Sequence, residues 1–420
     1  MTQQAQNSIE VQALLTECEQ IVQPIFRKIE QIARKNQRKV LEAFWQEKVS
    51  DMDLVGTTGY GLDDHGRDKL ERIYAQAFQT ESALVRPQII SGTHALRLGL
   101  FGVLRPGDRL LFATGTPYDT LQAVVGIREA VGSLKEWGIN YDIVPLRDDA
   151  SIALDEVMAA IQPATKVVMF QRSRGYGDRP ALTVAALQSA FATLRANHPD
   201  VIIAVDNCYG EFVEELEPTA VGADMAMGSL IKNPGGGIAS TGGYIAGKSH
   251  LIEQVAAQLT APGIGAEAGP THGFLRPFYQ GLFLAPHVVG QAVKGSVLAA
   301  CVFEKLGLEV SPRWDEPRSD LVLSVQFAQP DRLLKFCQAV QSSAPIDSHV
   351  LPTAAPMAGY EDAVVMAAGA FVQGSSLELS ADAPMRPPYV GYFQGGLTYE
   401  HVYVALENLV ATLLPQSDVK

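Results

Sequence analysis

The sequence predicts an α/β protein, with a large domain on a doubly wound, mostly parallel sheet and a smaller α+β domain after it. Three observations predict this. Between about residues 65 and 250, short β-branched runs alternate with helical stretches, the pattern of a parallel sheet with crossovers. Val201 to Val205 is an unbroken apolar run closed by Asp206, which reads as a strand buried on both faces with a carboxylate at its C-terminal tip. Lys232 lies in Gly228-Ser-Leu-Ile-Lys-Asn-Pro-Gly-Gly-Gly237, where Pro234 and the glycines forbid a helix and impose an abrupt turn.

Composition bounds the function. A chain of 420 residues, 47% hydrophobic and 19% charged, can bury the core of a large domain and a second, smaller one. Its net charge of −13 argues against nucleic acid or an anionic membrane as partner, since both need a basic face. Any phosphate must therefore be held locally, by backbone N–H groups and a few cations. Cys18, Cys208, Cys301 and Cys337 show neither C-x-x-C spacing nor a histidine at ligand spacing. No disulfide framework and no metal site are expected, and a reducing compartment is. The N-terminus has no basic-then-apolar leader and no run approaches a membrane span, so a soluble, cytoplasmic protein is expected.

The elements follow in order. From Ile9 to Ile32 apolar residues return every three or four positions, a helical stripe that Pro24 should bend or split, and it continues through Val40, Phe44 and Trp45. This N-terminal helical arm, residues 1–55, carries no evident chemistry and is expected to pack on a partner subunit. Gly56 to Gly66 holds four glycines and Tyr60, and reads either as a hinge or as a ligand-facing loop. A helix from Arg67 to Phe78 follows, within a large domain spanning 56–285. Ala83 to Ile90 is a strand, and Ser91-Gly92-Thr93 opens the next helix, where free N–H groups can hold phosphate or serve as a cap alone. His94 reads as structural. The strand Arg109 to Ala113 leads to Tyr118, an aromatic that either packs in the core or offers a flat face to a ring.

Strands continue at Tyr141 to Pro145 and Lys166 to Phe170, with a helix from Asp155 to Ile161 between them. Arg172 and Arg174 leave the carboxyl end of the second strand, where ligands bind in open α/β sheets, and are anion candidates. A helix from Val184 to Arg195 precedes the Asp206 strand. Met225 to Met227 forms a short strand before Ser229, and Thr241 to Ala246 is a strand able to pair antiparallel. Gly92 with Thr93, Tyr118, Asp206, and Ser229 with Lys232 thus all fall where a strand ends. A solvated loop lysine is the bland reading of Lys232 alone. The convergence suits a lysine that holds an aldehyde cofactor as a Schiff base, with an acid on the cofactor's ring nitrogen. After a loop from Thr260 to Pro270 comes a long apolar helix from Leu282 to Leu306. Residues 286–420 form this linker helix and a small α+β domain. It has strands at Leu321 to Phe327, Ala363 to Met366 and Ser376 to Leu379, and helices at Arg332 to Gln341 and Tyr399 to Leu414. Arg386 lies in a loop of this domain and is a candidate for a substrate carboxylate.

Taken together, Ser91-Gly-Thr, Pro117-Tyr-Asp, Val205-Asp-Asn and Ser229-Leu-Ile-Lys resemble the fold-type I PLP-dependent enzymes, in the branch of the cystathionine lyases and methionine γ-lyase. Longer stretches are similar to the methionine γ-lyase-like proteins labelled "aluminium resistance protein". These are Arg86-Pro-Gln-Ile-Ile-Ser-Gly-Thr-His94, Gln171-Arg-Ser-Arg-Gly-Tyr176, Val205-Asp-Asn-Cys-Tyr-Gly-Glu-Phe212, the lysine turn itself and Gly395-Gly-Leu-Thr-Tyr-Glu-His401. The likeness runs from Gly56 to near the C-terminus.

That resemblance implies a fold-type I transferase-like fold with pyridoxal 5'-phosphate as cofactor. It places Lys232 on the aldehyde, Asp206 on the pyridine nitrogen and Tyr118 against the ring as a candidate acid. Ser91, Gly92, Thr93 and Ser229 fall on the phosphate. It also sends Tyr60 to the phosphate of a neighbouring subunit, with Arg67 as a substitute for the family's arginine, whose position is Leu62 here. Ile231 stands where the lyases carry serine or threonine. Arg174, Arg172 or Arg386 is expected to hold the substrate carboxylate. The implied assembly is a homo-oligomer, a dimer with shared active sites and a tetramer of such dimers. The implied reaction is carbon–sulfur lysis, by β- or γ-elimination, of a sulfur amino acid such as methionine, cystathionine or cysteine. A transaminase or aldolase on the same scaffold, or a non-catalytic PLP-binding regulator, are the alternatives; no basic face supports the last.

Overall fold

The computed structural model describes residues 3–413 apart from 178, 358 and 359. The chain begins with α1 (Gln3–Gln46), a single helix that runs through Pro24. Of the bend or split expected at Pro24, the split does not occur. Proline removes the bond to the carbonyl four residues back, and here both Pro24 and Gln20 lie on the exposed side, where water can satisfy that carbonyl. The opposite stripe, including Leu15, Val22 and Phe26, is buried. After the glycine-rich loop, α2 (His65–Ala77) starts with Asp64 accepting from the Arg67 N–H at its N-terminus.

The large sheet is assembled next. It comprises β1 (Ser82–Arg86), β2 (Arg109–Phe112), β3 (Asn140–Ile143), β4 (Thr165–Gln171), β5 (Ile202–Asp206), β6 (Met225–Ser229) and β7 (Gly243–Gly247). Between these strands run α3 (Gly92–Val103), α4 (Asp119–Val125), α5 (Leu154–Ala160) and α6 (Val184–Asn197), and α7 (Ser249–Leu259) follows β7. The strand order is β1-β7-β6-β5-β4-β2-β3. The pairs among β2 to β6 are parallel, and β7 is antiparallel to both β6 and β1, as the Thr241 to Ala246 segment foreshadowed.

Alternation along β5 explains its apolar run, because successive side chains serve opposite faces. Ile202 and Ala204 join the cluster beneath α3 and α7, while Ile203 and Val205 join the one beneath α5 and α6. Register then aligns Gln171 with Asp206 and Asp206 with Met227, so the carboxyl ends of β4, β5 and β6 share one edge. β1 is shorter than its apolar run suggests, ending at Arg86 because Pro87 has no N–H for the ladder.

α8 (Leu275–Lys305) begins seven residues before the expected linker helix, and it contains Pro286. Its length and composition would suit a membrane span, but it is largely buried and packs along α1. The second sheet has the order β10-β11-β12-β9-β8, all antiparallel. Its strands are β8 (Glu309–Ser311), β9 (Leu323–Gln326), β10 (Val364–Ala367), β11 (Ser380–Pro384) and β12 (Val390–Gln394), with α9 (Pro330–Ser342) on it and α10 (Tyr399–Leu413) packed against α9, α8 and α1. Leu414, the expected last residue of that final helix, lies outside the described residues.

One strand is displaced from expectation. The structure places it at Ser380–Pro384 rather than Ser376 to Leu379. Residues just before it form a loop closed by the Glu378 carboxylate, which accepts the N–H groups of Phe371 and Val372. Along β11 the small Ala381 and Ala383 face the core, leaving Ser380 and Asp382 to the side that borders the large sheet's edge.

Candidate active site

A cavity of about 710 Å³ lies between the carboxyl edge of the large sheet and β11 and β12. Each expected group reaches it from a strand end. Asp206 closes β5 and is 4% exposed, its Oδ1 accepting the Cys208 N–H at 3.1 Å. Ser229 closes β6, fully buried, with a hydroxyl that has no hydrogen-bond partner among the described residues. Lys232 follows in a 3-10 turn, its Nζ 4.1 Å from the centroid of the Tyr209 ring.

That turn is fixed by backbone packing. Asn233 Nδ2 donates to the carbonyls of Tyr209 and Glu211 at 3.0 and 2.9 Å. A Cβ at Gly235 would lie 1.7 Å from the Leu230 carbonyl oxygen, and one at Gly281 of α8 would lie 2.3 Å from the Gly235 oxygen. No side chain fits at either position, which is why the turn needs its glycines.

At the start of α3, Ser91 is consumed as a cap, its Oγ accepting the His94 N–H at 3.1 Å. His94 Nδ1 accepts the Ile90 N–H. The first N–H groups of a helix have no intrahelical acceptor, so those of Gly92 and Thr93 can serve an anion. A Cβ on Gly92 would come within 3.1 Å of Cys208 Sγ and 3.6 Å of Ser229 Cβ, placing this helix start beside the Ser229 hydroxyl. Tyr118 heads α4, its hydroxyl 2.9 Å from Thr93 Oγ1.

Electrostatics join these groups. Burial pushes the Asp206 carboxyl up, and the Lys232 ammonium pulls it back. For Lys232 burial opposes the charge, but Cys208, Tyr209, Asp206 and Tyr118 around it hold its proton more tightly than an ordinary lysine's. Burial raises the Tyr118 phenol well above its usual range, so it keeps its proton at neutral pH.

The arginines separate. Arg172 is fully buried away from the cavity, its guanidinium held by Asn207, the Gly210 carbonyl, Glu214 and Glu217. It braces the segment after β5, a correction to its expected role on the substrate. Arg174 borders the cavity but donates to Ser311 and Ser324 of the second sheet. Arg386 borders it too, paired with Asp362 at 2.9 Å. Arg67 is 2% exposed and donates to the carbonyls of Gly61, Gly269 and Glu267. It is an internal brace of the glycine-rich loop rather than a cation presented to another subunit, because its donors are already engaged within its own chain. Tyr60 on that loop is 81% exposed.

Sequence reasoning missed Arg179, Tyr209 and Asp382, all of which line the cavity. Tyr209 was within reach, three residues past the strand-tip carboxylate.

Below the lysine turn sits a second buried acid. Glu211 accepts from the Tyr244 hydroxyl at 2.8 Å through Oε1, while Oε2 is buried with no partner among the described residues. Burial, with Glu217 adding to it, lifts this carboxyl to about 8. An unfolded glutamate titrates near ~4.3, so between that pH and about 8 the folded protein holds one proton more than the unfolded chain. Stability from this group is therefore full below the unfolded value and falls as pH rises through the window, by up to about 1.4 kcal/mol per pH unit. Glu211→Gln keeps an acceptor for Tyr244 and cannot ionise. Denaturant unfolding followed from about pH 5 to 8 should show a shallower decline for the variant than for wild type. Equal slopes would mean that Glu211 is not the group taking up the proton.

The site fits pyridoxal phosphate on its own features. The partnerless Ser229 hydroxyl beside free helix N–H groups suits a phosphate, the buried Asp206 suits a pyridinium, and Lys232 suits an aldehyde. The family model described as methionine gamma-lyase matches residues 11–414. A solved structure from Listeria monocytogenes, proposed to be a cystathionine beta-lyase involved in aluminium resistance, is 51% identical. It covers 96% of this chain and 100% of its own, with a TM-score of 0.94. A carbon-sulfur lyase involved in aluminium resistance from Clostridium novyi is 45% identical, covering 98% and 99%, at 0.93. The pyridoxal-5'-phosphate-dependent protein YhfS of Escherichia coli, 20% identical over 91% of this chain and 97% of its own at 0.61, shows the fold alone.

Proposed function

The chain belongs to the methionine gamma-lyase family, and from that premise we propose that it is a PLP-dependent carbon–sulfur lyase acting on a sulfur amino acid by β- or γ-elimination. The observation that carries the reading is the convergence of Lys232, Asp206, Tyr118 and the Ser229–Gly92–Thr93 corner on one cavity. Pyridoxal phosphate, when bound, supplies an electron sink for charge developing on the substrate's α-carbon. The residues do the rest. Asp206, buried and drawn toward its ionised form by the Lys232 ammonium, would hold a proton on the ring nitrogen. The Lys232 amine takes the proton from Cα. Tyr118, neutral at working pH, is the group we assign to hand a proton to the leaving sulfur. Arg174, Arg179 and Arg386 border the cavity with the positive charge that a substrate carboxylate requires.

The test is product analysis. The PLP-loaded protein, given methionine, cystathionine and cysteine in turn, should release a keto acid together with a thiol or sulfide. Transfer of the amino group to an added keto acid with no sulfur product would establish a transaminase instead. The four cysteines are free and buried, which suits a reducing compartment. We place the enzyme in the cytoplasm, where cell fractionation should find it.

The active unit is proposed to be a dimer with shared sites. Tyr60 supports this, being an exposed aromatic held out on a loop whose backbone is bonded to the 269–272 segment. In a two-fold pair each site would receive a partner's Tyr60. Mixing Lys232→Ala with Tyr60→Ala, each inactive alone, should then restore about a quarter of wild-type activity, because half of the randomly formed pairs carry one intact composite site. A mixture that stays inactive after verified subunit exchange, or a monomeric active species, would defeat the shared-site reading.

A further inference from the structure

The mechanism above leaves one acid of the cavity unused. Asp382 stands on β11, 7% exposed, facing the lysine side from the other sheet. Its carboxylate accepts Gln394 Nε2 at 3.1 Å and bonds to the Tyr176 hydroxyl. Tyr176 in turn lies against Tyr360, ring centroids 5.6 Å apart, and against Tyr392 at 5.0 Å. Tyr209 completes the surround, its ring already carrying the Lys232 ammonium.

An ionised carboxylate set among phenol rings is the chemistry that recognises an organic cation, through a charge-assisted bond and contact with the rings. Burial raises the Asp382 carboxyl to about 6, which still leaves it mostly ionised at neutral pH. Burial also raises the phenols of Tyr176, Tyr209 and Tyr360, so they remain neutral rings rather than competing anions. Among the described residues Asp382 forms no salt bridge; the cation that draws on it is the Lys232 ammonium, which the cofactor's aldehyde would engage, and Arg386 is paired with Asp362. A buried, ionised acid with only neutral hydrogen-bond partners is costly unless a cation comes to it.

We propose that Asp382, with Tyr176, Tyr209 and Tyr360, forms a specificity subsite for a positively charged group, an ammonium, on the sulfur-bearing leaving part of the substrate. The proposal rests on the lyase reading for what the substrate does, but the subsite can be read by binding alone. The favoured substrate class is a thioether whose leaving thiol carries an amine, over one whose leaving thiol is an uncharged alkyl chain.

Two pairs of isosteres test it. S-(2-aminoethyl)-L-cysteine and S-propyl-L-cysteine differ by a terminal ammonium in place of a methyl group. The PLP-loaded enzyme should release thiol from the first with kcat/KM about tenfold or more above the second, the scale of one charge-assisted bond. Asp382→Asn should bring the ratio close to one while leaving S-propyl-L-cysteine turnover near wild type. Free L-lysine and L-2-aminoheptanoic acid form the matching pair without sulfur and cannot undergo the elimination. Titrated against the visible absorption of the loaded protein, lysine should act at about tenfold lower concentration than L-2-aminoheptanoic acid, and Asp382→Asn should remove the difference. Equal responses to lysine and L-2-aminoheptanoic acid in wild type, or a preference that survives Asp382→Asn, overturn the subsite whatever the reaction. If the lysine preference holds and depends on Asp382 but no thiol is ever released, the subsite stands and the lyase reading falls.

Discussion

Lys232→Ala will leave a folded protein without the visible absorption of lysine-bound pyridoxal phosphate and with turnover reduced by ~10⁴ or more, since it removes both the covalent anchor and the base. The fold should survive, because the turn is held by Asn233 and by the glycine contact with α8, not by the lysine side chain. The loss has a second effect. The Lys232 ammonium is a principal charge opposing the rise of the Asp206 carboxyl, so in the alanine variant Asp206 will protonate more readily. Borohydride reduction of wild type followed by peptide mapping should place the pyridoxyl label on Lys232. If the alanine variant still fixes the cofactor covalently, another amine is the anchor.

Asp206→Asn is expected to keep the cofactor and lose the chemistry. The asparagine preserves shape and can accept the Cys208 N–H in place of the carboxylate. It has no charge with which to hold a ring proton, and a charge-assisted bond is about twice as strong as a neutral one. Turnover should drop by two to three orders of magnitude, roughly the loss seen when one preorganised electrostatic group is removed from a reacting centre. The cofactor's absorption should persist, and this separates the variant from Lys232→Ala. Near-normal kcat in Asp206→Asn would remove the electron-sink assignment.

The sequence displays the large sheet because its strands are buried on both faces, so β4 and β5 are near-continuous apolar runs. The small sheet is harder to read. Ala381 and Ala383 are core residues too small to signal burial, and β12 follows Pro387 and Pro388, which look like loop. The same limits apply to the site. Residues at strand ends are legible because a sheet brings such ends together. Arg172 and Arg174 look alike in sequence, yet one goes to Glu217 beneath the strand edge and the other to Ser324 across the cavity. Only the fold distinguishes them. Asp382 belongs to a different sheet from Lys232, and no spacing along the chain reveals that they share a cavity.

The strand order also sets a timetable for synthesis. β1 is made first but pairs only with β7, the last strand of its sheet to leave the ribosome. At ~5–20 residues per second, the growing chain carries an unpaired edge for several seconds or more. α2 guards it meanwhile, because Glu71 accepts from the Val85 N–H and from Arg86, holding β1 against a helix made just before it. A nascent chain halted before Gly243 already contains Asp206 and Lys232, but β1 and the α3 start that follows it have no partner strand to seat them. The phosphate corner therefore closes late, when β7 slides between β6 and β1.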